Sequence, residues 1–117
     1  GGSWFLPRLV GVRRTAELYF EGRVLNAWEA ADWGLVTRVV PADQLEAAAL
    51  DSITRLASGP TYAFGELRNL LRQSAASTLS EQYGLETDAL SRCAAMSDGV
   101  EGISAFIAKR KPAFRGS

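Results

Sequence analysis

The chain has no histidine, one cysteine, one methionine, four prolines and only two lysines among its 117 residues. Without histidine, a serine or cysteine nucleophile lacks its familiar base. The lone Cys93 excludes an internal disulfide and a multi-cysteine metal site, and it is expected to be a small core residue. No metal is expected. Positive and negative side chains balance at thirteen each, so no global field recruits nucleic acid or an acidic membrane, although a local cluster can still act. No apolar run approaches the roughly eighteen residues of a membrane span, and no charged start leads into an apolar segment. The expectation is therefore no nucleic acid, no membrane and a cytoplasmic location.

What is present is a hydrophobic fraction of 47%, enough for one small folded domain or part of one. Arginine outnumbers lysine eleven to two, which reads as coding bias rather than chemistry. No internal repeat or low-complexity tract occurs, and glycine, proline and polar pairs punctuate the chain every dozen or so residues. Trp4 to Val10 reads as a short first helix ended by Gly11, and Arg13 to Glu21 as a second stopped by Gly22. Four cap spacings follow, at Asn26 with Glu29, Asp43 with Glu46, Thr78 with Glu81 and Asp98 with Glu101. Each predicts a helix start. Between them, Leu35 to Val40 is rich in β-branched residues and ends at Pro41, a solitary strand candidate too short to define a sheet. The helix after Asp43 is expected to run to about Ser58, where Gly59-Pro60 breaks it. The next carries Tyr62, Phe64, Leu67, Leu70 and Leu71 to about Ser74. On the helix after Thr78, Leu79, Tyr83, Glu86, Leu90 and Cys93 share a face, which puts Glu86 either at the edge of an apolar stripe or in an ion pair, with Arg92 or an arginine of a neighbouring helix.

The tail from Asp98 to Phe114 is the densest segment. Val100, Ile103, Phe106 and Ile107 form one face of a helix that Pro112 is expected to stop, leaving Lys109, Arg110 and Lys111 at the negative end of its dipole. Cations commonly finish helices for that reason alone. The same cluster would also suit an anion such as a phosphate.

Two carboxylate pairs, Glu17 with Glu21 and Glu29 with Asp32, sit at helical spacing, but arginines flank both and a solvated face explains them. Gly1-Gly2 before an apolar helix offers bare amides, a weak signal for an oxyanion or phosphate site. A helix-turn-helix around Gly34 fails because Leu35 to Val40 is strand-like where a recognition helix should run, and the chain lacks a basic surplus.

Taken in order, four segments resemble the enoyl-CoA hydratase/isomerase, or crotonase, superfamily. These are Gly1-Gly2-Ser3-Trp4 with Leu6 to Gly11; Glu17-Leu18 with Gly22-Arg23; Ala27, Glu29 and Ala30 with Gly34 to Pro41; and Asp98 to Phe114. Together they cover nearly the whole chain. The resemblance implies a mainly α fold, the helical C-terminal region of a crotonase-type domain, with six or seven helices and one short extended segment near 35–40. It implies one helical fragment over 1–117, core-proximal over 1–41 and a trimerisation region over 42–117. Gly1-Gly2 would then be a native glycine pair inside a longer protein. The implied function is part of an acyl-CoA-processing enzyme, a hydratase or isomerase, in which this part builds trimers or hexamers and closes the CoA site of a neighbouring subunit. The catalytic carboxylates and oxyanion loops would precede Gly1, with no catalytic residue in the chain itself and no separate cofactor, CoA being part of the acyl-CoA thioester substrate. The resemblance matches Phe106 and Lys109 to CoA contacts across the subunit boundary and Trp4 and Phe5 to positions near the acyl pocket. Glu21 and Arg68 depart from the family's usual threonine and lysine. A free-standing helical oligomerisation module is the alternative.

Overall fold

The computed structural model describes residues 1–117, which form six α-helices, one 3-10 turn and no strand. They are α1 (Gly2–Phe20), α2 (Ala27–Asp32), the 3-10 turn Ala42–Gln44, α3 (Leu45–Ala57), α4 (Thr61–Ser74), α5 (Leu79–Ala94) and α6 (Ser97–Ile107). The helical expectation holds. The chain divides into two compact units, Gly1–Glu46 and Ala47–Ser117.

In the first unit, the two short helices read from the sequence are the two arms of α1, broken at Gly11. That residue has φ 82° and ψ 159°, a left-handed φ that favours glycine and ends one arm while the next begins. Thr15 anchors the break by donating its hydroxyl to the Gly11 carbonyl at 2.9 Å, and it is the one buried residue of α1. α2 opens on the expected capping box: Glu29 N–H donates to Asn26 Oδ1 at 2.9 Å, and Asn26 N–H donates to Glu29 Oε2 at 3.2 Å. It closes on Gly34 at φ 77°, where Gly34 N–H reaches the Ala31 carbonyl and Leu35 N–H the Ala30 carbonyl. Those two bonds satisfy two of the carbonyls that the helix end leaves without an intrahelical partner. Leu35 to Val40 then runs as bends and irregular backbone rather than as a strand. A strand needs a ladder partner, and the chain holds none.

The second unit is built from sequential helices, α4 against α5 and α5 against α6. α5 begins at the expected box, with Thr78 N–H donating to Glu81 Oε2 at 2.7 Å and Glu81 N–H to Thr78 Oγ1 at 3.3 Å. These bonds hold the Glu81 carboxyl below the usual range, the Thr78 amide first and its hydroxyl second. The box expected at Asp43 does not form. Pro41 precedes a 3-10 turn there with no side-chain cap, and α3 follows from it. The box at Asp98 is also absent, because the helix is capped two residues earlier, at Met96. Glu86 is exposed, and Arg92 pairs across to Glu66 on α4 at 2.6 Å. Of the two readings for Glu86, exposure accords with a place at the edge of the stripe, and Arg92 makes this bridge between helices instead, drawing the Glu66 carboxyl down through its hydrogen bond.

α5 and α6 meet so closely that a β carbon on Gly99 would run into the Cys93 carbonyl oxygen and come within 3.0 Å of Ala94 Cα. Only glycine lets the backbones approach this far. Ala89 on α5 and Ala105 on α6 are buried, and they are the only buried apolar residues of the whole chain. Cys93 is half-buried there, on the wall of a cleft of about 280 Å³ that Met96, Ile103 and Phe114 also line. The apolar stripes themselves stay open: Leu50, Ile53, Leu71, Leu79, Tyr83 and Leu90 are all at least 60% exposed.

Candidate functional site

The end of α6 and the residues just beyond it carry two of the candidate residues, Phe106 and Lys109. Phe106 is 85% exposed and Ile107 75%, so the aromatic face projects away from the unit rather than into it. Lys109 follows one turn later, also exposed. The helix does not run on to Pro112 as expected. It stops at Ile107, because Lys109 takes a left-handed conformation at φ 50°. Lys109 N–H then bonds the Phe106 carbonyl at 3.2 Å and Arg110 N–H the Ala105 carbonyl at 3.0 Å. This is the same pair of bonds that ends α2, with lysine in the seat that Gly34 fills there. Every other positive-φ residue in the chain is glycine.

The residues after Lys109 return along α6 and are received by its first two turns. Glu101 takes a two-pronged bond from Arg110 at 2.6 and 2.8 Å and a third from the Ala113 amide at 2.8 Å. Arg110 first and the Ala113 amide second bring the Glu101 pKa down to about 2. Asp98, 5% exposed, accepts from the Arg115 amide at 2.7 Å and the Gly116 amide at 2.8 Å. The Asp98 amide and the Ser97 hydroxyl both donate to the Ser117 carbonyl, at 2.8 and 2.5 Å. Asp98 and Glu101 therefore cap nothing on their own helix. They hold a strap. The sequence carried the signal in part: two acidic residues three apart suit amides from any source, and here those amides belong to the chain beyond Pro112.

The strap has a defined pH window. Glu101 falls from the ordinary 4.5 to about 2 in the folded chain, so its contribution is complete above pH 4.5 and lost as pH drops from there towards 2. Amide exchange of Ala113 is expected to be equally protected at pH 5 and pH 8 and to lose protection only on acidification below about pH 4. Loss of protection between pH 8 and 5 would contradict the assigned bonds.

In the first unit, Trp4 and Phe5 are both exposed and meet edge to face, with centroids 4.7 Å apart. Arg8 lies 3.9 Å over the Trp4 ring and donates to the Trp4 carbonyl at 2.9 Å. The Gly1 carbonyl receives the Trp4 and Phe5 amides, and the Tyr19 hydroxyl lies against the α carbon of Gly2. The carboxylate pairs sort differently from their spacing. Arg23 bridges Glu17 on α1 and Glu29 on α2, the latter at 2.6 Å, while its guanidinium and that of Arg14 lie 4.8 and 4.6 Å over Trp33. Glu17 and Glu29 thus share one cation, an arrangement with the character of a structural joint. No group of three or more histidine, cysteine, aspartate or glutamate side chains comes together to hold a metal ion, and no helix is long and apolar enough to cross a membrane.

Comparison with known proteins gives a consistent picture. The family model described as enoyl-CoA hydratase/isomerase matches residues 1–117. The chain is 36% identical over 116 residues to a 1,2-epoxyphenylacetyl-CoA isomerase of Escherichia coli, covering 99% of the chain and 44% of that protein. It is 32% identical to a trans-2-decenoyl-[acyl-carrier-protein] isomerase of Streptococcus mutans, again over 44% of its length. Among solved structures, an enoyl-CoA hydratase from Bacillus anthracis superposes with a TM-score of 0.89 at 34% identity, covering all of this chain and 45% of that one. The chain thus spans under half the length of the relatives it matches.

Proposed function

Because the chain belongs to the enoyl-CoA hydratase/isomerase family and corresponds to its helical C-terminal part, we propose that it serves an acyl-thioester site whose catalytic groups lie elsewhere in the full-length protein. In this reading the last turn of α6 binds coenzyme A, with Phe106 stacking on the adenine and Lys109 meeting a phosphate. The observation that carries it is Lys109 in a left-handed seat beside an exposed aromatic ring. A non-glycine residue there costs about 1 kcal/mol that glycine would avoid, and such strain is retained where the side chain has a task. A solvent-facing ring and cation, three residues apart, present to a nucleotide what stacking and charge-assisted bonding require.

Trp4 and Phe5 border the acyl pocket in the same reading, and the reaction is hydration or double-bond isomerisation of the thioester. A thioester enolate needs preorganised donors and a nearby acid or base, which the proposal assigns to the chain preceding Gly1. A cytoplasmic location accords with this.

The test is substitution of Lys109 in the full-length protein. Lys109→Ala is expected to weaken coenzyme A binding about three- to tenfold at low salt and to flatten its salt dependence. Lys109→Gly should weaken it equally while raising the melting temperature, since it removes the charge but relieves the backbone. Unchanged affinity in both would remove Lys109 from the site.

The open stripes on α3, α4 and α5 support the oligomerisation half of the proposal, trimeric or hexameric. Exposed apolar surface of this extent marks an interaction face. The 117-residue chain by itself is expected to self-associate at tens of micromolar, read by light scattering, and a monodisperse monomer would count against it. Those same faces would suit a free-standing helical module, which predicts self-association without any coenzyme A affinity in the full-length protein.

A further inference from the structure

The two carboxylates, Asp98 in the first turn of α6 and Glu101 in the second, precede Lys109 by 11 and 8 residues, yet every bond they make fixes the chain just beyond it. Arg110, the residue after Lys109, is held by both oxygens of Glu101; Ala113 is held by Glu101; Arg115 and Gly116 are held by Asp98. A chain tied down this way must reverse at Lys109. With the strap absent, nothing in the sequence stops α6 at Ile107: Ala108, Lys109 and Arg110 are all good helix formers, and the first obstacle is Pro112, which disfavours helix at Lys111 as well. Two backbone states therefore compete for one segment. In the first, the strap is docked and Lys109 is left-handed. In the second, the strap is free, Lys109 is an ordinary helical residue and its side chain leaves the backbone in a different direction relative to Phe106.

We propose that Glu101, with Asp98 anchoring the end of the strap, is a positioning residue: it selects the left-handed state of Lys109 and thereby sets the geometry of the Phe106 and Lys109 pair towards the phosphate-bearing ligand. The proposal rests on the coenzyme A reading above for its ligand, but its conformational half stands on the strap alone. Glu101 touches no ligand. It acts through Arg110, whose planar guanidinium makes a paired bond that lysine could not reproduce.

The test combines a conformational and a binding measurement on the full-length protein. Glu101→Ala should move the Lys109 Cα chemical shift towards its helical value and weaken coenzyme A affinity about three- to tenfold, the range expected from losing correct placement of one charge-assisted contact. Combined with Lys109→Ala, it should cause no further loss, because the residue it positions is gone. Glu101→Gln, which keeps an acceptor for the Ala113 amide but not the charge for Arg110, should fall between Glu101→Ala and the unaltered protein and guards against a folding artefact. The proposal is overturned if Lys109 keeps its left-handed shift in Glu101→Ala, or if Glu101→Ala costs as much affinity without Lys109 as with it. If Lys109→Ala alone leaves affinity unchanged, the coenzyme A reading fails and takes the ligand half of this proposal with it, while the Lys109 shift still decides the conformational half.

Discussion

Replacing Gly99 with alanine is expected to lower stability by about 3 kcal/mol, the upper range for forcing one methyl group into a closed contact. The added carbon would meet the Cys93 carbonyl oxygen and the Cα of Ala94, which are backbone atoms that no rotamer change can move aside. α5 and α6 would have to separate, and with them the buried Ala89 and Ala105 that make up the apolar core. For a unit this small the loss corresponds to a fall in melting temperature of roughly 10–20 °C. Gly84→Ala on α5 is the matched control. Its added carbon meets nothing within 4 Å, so the gain in helix propensity, about 0.5–1 kcal/mol, should appear as a stabilisation. Equal effects at the two positions would mean that α5 and α6 do not approach as described.

The second large effect is expected at Asp98. Asp98→Ala removes the acceptor of two backbone amides, those of Arg115 and Gly116, from a site only 5% exposed. Each charge-assisted bond is worth about 1.5–3 kcal/mol, but the strap can detach into water and recover solvation, so the net loss is bounded by its docking energy. A net cost of about 2 kcal/mol is expected on that argument. The sharper readout is proteolysis. Trypsin should cut after Arg110 and Arg115 far faster in Asp98→Ala than in the unaltered chain, as mass spectrometry would show, with cleavage elsewhere little changed. Asp98→Asn should behave similarly, since its NH2 group would face an amide N–H and leave one donor opposed to another. Unaltered cleavage after Arg115 would refute the clasp.

Comparing these expectations with the sequence shows where local reading succeeds. Asn26 and Thr78 were legible as caps because the bonds they make are confined to four residues, and the end of α3 at Ala57 follows from the Gly59-Pro60 breaker. Asp43 and Asp98 have the same spacing but different fates. Pro41 starts a 3-10 turn before Asp43 can cap, and Asp98 is claimed by amides 17 and 18 residues away. Spacing cannot distinguish an acceptor used locally from one used at a distance. The stop at Ile107 was hidden for the same reason: a left-handed lysine follows from the strap, not from its own propensity. Of the candidate site, the residues alone gave an apolar stripe holding Phe106 and a cationic helix end holding Lys109, and only the family resemblance paired the two; Glu17, Glu21, Glu29 and Asp32 read as acidic pairs on a solvated face. That Arg23 would join Glu17 to Glu29, leaving Glu21 and Asp32 outside, could not be read from helical periodicity, because the bridge crosses from one helix to the next.

The order of packing in the second unit has a kinetic side. α4 meets α5 and α5 meets α6, each with its neighbour in sequence, and the clasp from Asp98 to Arg115 closes a loop of only 17 residues. Short loops cost little closure entropy and local contacts form early. The segment from Ala47 to Ser117 can therefore acquire its internal order on the timescale of helix hairpins.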